Sequence, residues 1–97
     1  MSKPFECSSG TYTGDGSSGS VTLGFKPKLL IIMNVTDGDK FVVMGDDMDD
    51  GSGMDVSGAA MLSTNGITLS ATGFSVGSDA EVNENLKVFH YIAIGGN

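Results

Sequence analysis

The sequence predicts an all-β fold: a compact antiparallel β-sandwich or jelly-roll-like small barrel of about seven short strands. Three observations point there. Apolar residues come in short runs, fifteen glycines are spread along the 97 residues, and turn dipeptides such as Asp37-Gly38 and Asn65-Gly66 stand between the runs. A chain of this length buries only about 60–70% of the surface its unfolded form exposes, so one domain covering residues 1–97 with one modest core is expected.

The elements follow in order. Residues 1–10 read as a flexible N-terminal arm, and a short strand is expected around Thr11–Thr13, closed by a Gly-Asp-Gly turn. In Ser20–Phe25, Val21, Leu23 and Phe25 alternate with Thr22 and Gly24, the period of a half-buried strand. Pro27 has no N–H to give a ladder and marks a strand's entry. The apolar run Lys28–Val35 follows, and Asp37-Gly38 predicts a hairpin to a return strand, Lys40–Gly45. After the acidic stretch MGDDMDDGSGMD, "GAAML" reads as a short strand or one helical turn. Asn65-Gly66 then signals a turn into a strand with Ile67, Leu69 and Ala71 on one face. Phe74 and Val76 take the other parity, which predicts a bulge or bend at Gly73. A polar connection leads to the last strand, Lys87 to Ile94.

Two of these strands do not alternate. In "LLIIM", Leu29, Ile31 and Met33 oppose Leu30 and Ile32; in "VFHYIAI", Val88, His90, Ile92 and Ile94 oppose Phe89, Tyr91 and Ala93. A strand with one face in water should alternate, so the second face needs cover. The expectation is a closed homo-oligomer, a trimer favoured. Leu30, Ile32, Phe89 and Tyr91 are assigned to the oligomer or shell interface, together with Met48 and Met54 from the acidic loop. The simpler alternative is a loop folded over the sheet or a face left partly exposed.

The formal net charge is −7, with five lysines and no arginine. That excludes nucleic acid, whose phosphates need clustered cations, and an anionic membrane for the same reason. Cys7 stands alone, so no intrachain disulfide is possible, which fits synthesis in a reducing cytoplasm. The start of the chain has no run long enough for a signal peptide's apolar region, and "LLIIM" is too short to span a membrane.

Searched for chemistry, the chain offers little. The acidic loop, read as an EF-hand from Asp46, puts Met48 at the third position and Ser57 at the twelfth, where ligands belong. A weak irregular cation site built from Asp47, Asp49, Asp50 and backbone carbonyls is the alternative to a solvated charged turn. His90 has no nucleophile or orienting carboxylate at a suggestive spacing. "GTYTGDGSSGS" lacks the lysine and the following helix of a phosphate loop. No catalytic residue, no cofactor and no enzyme activity are expected.

Five segments, in order, carry a resemblance: Tyr12–Gly16 (YTGDG), Gly24–Ile31 (GFKPKLLI), Gly73–Gly77 (GFSVG), Val82–Asn83, and His90–Gly95 (HYIAIG) preceded by Phe89. Together they resemble a domain found in bacteriophage and prophage virion proteins. The resemblance covers both ends of the chain and leaves the middle, including the acidic loop, unmatched. It implies a structural module on virions. A copy of 97 residues starting at Met1, without heptads, looks like a capsid decoration (cement) protein on the outer surface of the virion. Its implied partner is the major capsid protein or another virion protein. The alternative is a tail-fibre or receptor-binding module that recognises host glycans, with Tyr12, Asp46, Asp47, Asp49 or Asp50 as contacts. A small hydrolase is a third reading.

Overall fold

A computed structural model describes residues 5–95. Eight strands form one antiparallel sheet curled into a half-barrel, so of the two expected architectures the barrel-like one is realised. The strands are β1 (Glu6–Thr13), β2 (Gly19–Thr22), β3 (Pro27–Asn34), β4 (Phe41–Gly45), β5 (Ser52–Asp55), β6 (Ala60–Ser70), β7 (Gly73–Val76) and β8 (Val88–Gly95). A single turn of helix, α1 (Ala80–Asn83), lies between β7 and β8. The order across the sheet is β1-β8-β3-β4-β5-β6-β7-β2, which leaves β1 and β2 as the two edges.

Local chemistry explains most of the connections. The β3–β4 hairpin forms where Asp37-Gly38 predicts it. Gly38 has φ 72° and donates its N–H to Asn34 O at 2.9 Å, while the Asn34 side chain accepts from Asp37 N at 2.9 Å. Asn65-Gly66 is a bulge and does not end a strand. The first half of β6 pairs with β5 (Gly53 opposite Leu62) and the second half with β7 (Ile67 opposite Val76). Residues 63–66 arch out between the two halves, with Asn65 at φ 58°. Such a bulge bends a sheet, and here it marks the change of partner from β5 to β7. The reversal expected at Gly73 is a tight hairpin: Ser70 pairs with Gly73 across Ala71 and Thr72. Ala71 is therefore a turn residue, and Phe74 and Val76 return to the same face as Ile67 and Leu69.

Three further elements differ from the sequence reading. Residues 6–10 belong to β1 and pair with β8, from Glu6 opposite Gly95 to Gly10 opposite Tyr91, so the expected arm is a strand from Glu6 onward. Its first residues, 1–4, lie outside the described residues. The end of the acidic stretch is β5, whose Met54 pairs with Val43. The polar connection contains α1, capped by Asp79, whose side chain accepts from Glu81 N at 2.8 Å.

The concave side of the sheet holds the core: Phe25, Leu30, Ile32, Val42, Met44, Ile67, Phe74, Val76, Val82, Phe89, Tyr91 and Ala93. This corrects the interface assignment. Leu30, Ile32 and Phe89 are fully buried within the chain, Tyr91 is 9% exposed, and none of the four faces outward. The physical reason is volume. The concavity is filled by rings, with Tyr91 edge-on to Phe74 at 5.3 Å and Tyr12 stacked on Phe89 at 5.4 Å, and β8 supplies rings only from its Phe89/Tyr91 parity.

Candidate functional site

With the aromatic parity turned inward, the other apolar parity of the same strands faces out. On β3 this is Leu29, Ile31 and Met33; on β8 it is Val88, His90, Ile92 and Ile94, all half-buried. The register aligns them with neighbours into a row. Ile92 lies opposite Ile31, Ile31 opposite Val43, Val43 opposite Met54, and Met54 opposite Met61. Five adjacent strands at about 4.8 Å spacing make an apolar band roughly 19 Å wide. Leu29 and Ile94 pair beside it on one side, and Met33 and Phe41 on the other. Phe41, Met54 and Met61 are 37%, 36% and 56% exposed. None of these outward positions carries a charged side chain. An uncharged, continuous apolar face is unusual on an isolated soluble chain.

The two methionines assigned to the interface part company. Met54 sits in the middle of the outward band. Met48 folds back, packs against the core, and its Sδ lies 3.1 Å from Gly45 N. Met48 is thus a plug at one end of the half-barrel, and its assignment to the interface is corrected. The rest of the acidic loop is a well-bonded turn. Ser52 Oγ donates to Asp49 O at 2.6 Å and Gly51 N to Ile67 O at 2.8 Å. Asp46, Asp47, Asp49 and Asp50 all point to solvent. Among the described residues no three acidic, His or Cys side chains converge to hold a metal ion, Asp47, Asp49 and Asp50 included. Calcium at millimolar concentration is therefore expected to leave the melting temperature unchanged; a rise of several degrees, removed by a chelator, would contradict this account.

The glycan contacts expected of Tyr12 and the acidic loop are not brought together. Tyr12 sits at the β3–β4 hairpin end of the sheet, opposite Phe89, whereas the acidic loop follows Gly45 at the other end. Burial raises the Tyr12 pKa, and the hydroxyl keeps its proton to donate to Val82 O at 2.6 Å. His90 lies on the outer face between Thr11 and Met33, and Cys7 is exposed opposite Ile94.

Three of the five segments that carry the virion-domain resemblance meet at Asn83. Asn83, 2% exposed, donates through Nδ2 to Gly77 O at 2.9 Å and to Asp15 Oδ1 at 3.1 Å. Its Oδ1 accepts from Asp15 N at 3.0 Å, and its backbone O accepts from Gly16 N at 2.8 Å. Gly14 has no room for a side chain, since a Cβ there would stand 2.1 Å from Glu84 O. Gly73 is held as tightly by Val21 O, at 2.0 Å. Asn83 and Gly14 join β1, β7 and α1, and Gly73 seats β7 against β2; nothing in their arrangement activates a nucleophile or a water.

One ionisable cluster escaped the sequence reading. Asp55, 7% exposed, accepts from Ser57 Oγ at 2.5 Å and from Gly58 N at 3.1 Å. Its carboxyl is also within hydrogen-bonding reach of Glu81, which in turn contacts Lys40 Nζ at 3.2 Å. Four residues of helix are too few to show a period, so no sequence signal placed Glu81 near Asp55. A groove of about 670 Å³ near β2, β6 and β7 is lined by Ser18, Ser20, Asn65, Thr68 and Ser75 with glycine backbone between them. Compared with known proteins, the chain matches no protein-family model, no curated protein and no solved structure.

Proposed function

We propose that this is a bacteriophage virion structural protein, a capsid decoration protein that docks on the head surface as a homo-oligomer. A trimer is the assembly to test first. The observation that carries the reading is the uncharged outward band Ile92–Ile31–Val43–Met54–Met61. Fully burying an exposed side chain of this kind is worth about 1.5–3 kcal/mol; these partly buried residues gain part of that each, which adds up over a few of them in repeated copies. Support also comes from the resemblance segments, whose residues build joints and no reactive centre. The acidic loop, with its carboxylates in solvent, keeps a chain with such a face in solution.

Cosedimentation with purified phage heads that lack the protein tests this. The wild type is expected in the pellet, and Ile31→Glu in the supernatant. The tail-fibre alternative retains one supporting observation: the hydroxyl- and amide-lined groove beside β2 offers the hydrogen-bonding groups a sugar uses. Strong binding on a glycan array with no affinity for heads would transfer the assignment to that alternative.

A further inference from the structure

We propose that Asp55 and Glu81 hold a single proton between them and act as a latch that fastens α1 to the sheet while that proton is present. This goes beyond the virion reading and does not depend on it. The geometry begins with Glu81 Oε2, which is buried and has no hydrogen-bond donor from the protein. A buried carboxylate oxygen left in that state is unfavourable. The Asp55 carboxyl lies within hydrogen-bonding reach of Glu81 and already accepts from Ser57 Oγ and Gly58 N. Two carboxylates in contact repel; a carboxylic acid and a carboxylate form a strong charge-assisted hydrogen bond. A proton on Glu81 Oε2, donated to Asp55, satisfies both groups at once.

The surrounding charges decide which partner carries the proton. The hydrogen bond to Asp55 is the largest influence on Glu81 and, with burial, raises its pKa. The same bond lowers that of Asp55, helped by Ser57 and the Gly58 N–H against the cost of burial. Lys40 is the cation in contact and pulls Glu81 the other way, but its contact is with Oε1, at 3.2 Å. Asp39, beside Lys40, is the further carboxylate that acts on that ammonium, and Asp79 caps the same helix. The two carboxyls titrate as a pair, with the first proton retained above the ordinary glutamate value of 4.5.

The sign follows from linkage. Glu81, with its pKa raised in the fold, contributes stability that is present at low pH and is lost as pH rises through its folded value. Asp55, with its pKa lowered, contributes stability that is lost only as pH falls through its own folded value. The latch is closed between those two values. Above the upper one both carboxyls are charged, and α1 is held by Tyr12, Asn83 and the Asp79 N–H bond to Asn65 O without the latch as a fourth fastening.

Thermal unfolding of the wild type and Glu81→Gln from about pH 4 to pH 8 tests this, because glutamine keeps an N–H donor toward Asp55 and cannot ionise. The difference in Tm, Glu81→Gln minus wild type, is expected to grow by roughly 4 °C or more across that range. Amide exchange at Val82 and Asn83 should accelerate with pH beyond its intrinsic base dependence in the wild type alone. A constant Tm difference and parallel exchange would overturn the proposal. Should Glu81→Gln fold poorly, ¹³C titration of the wild-type carboxyls decides. Linked titrations of Glu81 and Asp55, with Glu81 raised, support the latch, and an ordinary, independent Glu81 titration removes it.

Discussion

Phe89→Ala is expected to be among the most damaging single substitutions in the chain, lowering stability by about 3–5 kcal/mol. Phe89 is fully buried, and its ring is stacked on Tyr12 with an angle of 11° between planes. Removing it leaves a cavity beneath β1 and takes away the surface against which the Tyr12 ring is held. With that ring loose, the Tyr12 hydroxyl no longer fixes Val82 O, so the loss spreads from β8 to α1. A domain of this size has about 5–15 kcal/mol in total, so the loss is a fifth or more of what holds it folded. Denaturant unfolding followed by circular dichroism measures it. Ile92→Ala, three residues along the same strand but on the outer face, is expected to cost about 1 kcal/mol or less under dilute conditions. Equal losses at the two positions would contradict the assignment of faces.

Asn83→Ala is expected to cost about 2–4 kcal/mol, although it removes only a small polar group. The asparagine amide uses both donors and its acceptor at once, on Gly77 O, Asp15 Oδ1 and Asp15 N. Alanine leaves the Gly77 carbonyl and the Asp15 N–H without those partners in a partly buried joint, so the cost is that of stranded groups and exceeds one ordinary hydrogen bond. A melting temperature lower by roughly 8–30 °C is the corresponding readout. Asn83→Asp should not restore stability, because its second oxygen would face Asp15 Oδ1 and Gly77 O with no proton to give. A melting temperature within two degrees of wild type for Asn83→Ala would show that the joint is not what closes that end of the half-barrel.

Much of the fold is legible in the residues, and the gaps have physical reasons. The Asn34–Asp37–Gly38 hairpin can be read directly because its geometry is local: one positive φ and two short side-chain bonds. The failure of β3 and β8 to alternate is equally plain, and it announces two apolar faces. Which face is the core cannot be read from either strand. Leu30/Ile32 and Leu29/Ile31 are chemically alike, and the choice is made by rings arriving from β1 and β7, namely Tyr12 and Phe74. Asn65-Gly66 shows the same limit. Its preference for positive φ is real, but whether that ends a strand or bends one depends on the two different partners, β5 and β7, on either side. The Asp55–Glu81 contact joins residues 26 positions apart through a helix of one turn, and no local pattern encodes it.

For the candidate surface, the sequence announces the existence of a second apolar face, and only the register shows its extent. Met54 and Met61 enter the band because Val43, Met54 and Met61 are consecutive cross-strand neighbours. Spacing alone leaves Met48 and Met54 equivalent. The structure separates them, one closing the barrel end and one standing on the outer face.

We propose a division of labour between the two parities: the inner one folds the chain and the outer one assembles it. Sedimentation equilibrium at about 100 μM measures that most directly, within the concentration range where weak protein contacts of a few kcal/mol become populated. The account predicts a wild-type mass that is an integral multiple of 9.9 kDa. It also predicts that Ile92→Glu falls to the single-chain mass while keeping the wild-type circular dichroism spectrum. A wild type that sediments as a single chain, or an Ile92→Glu variant that assembles undisturbed, would contradict it.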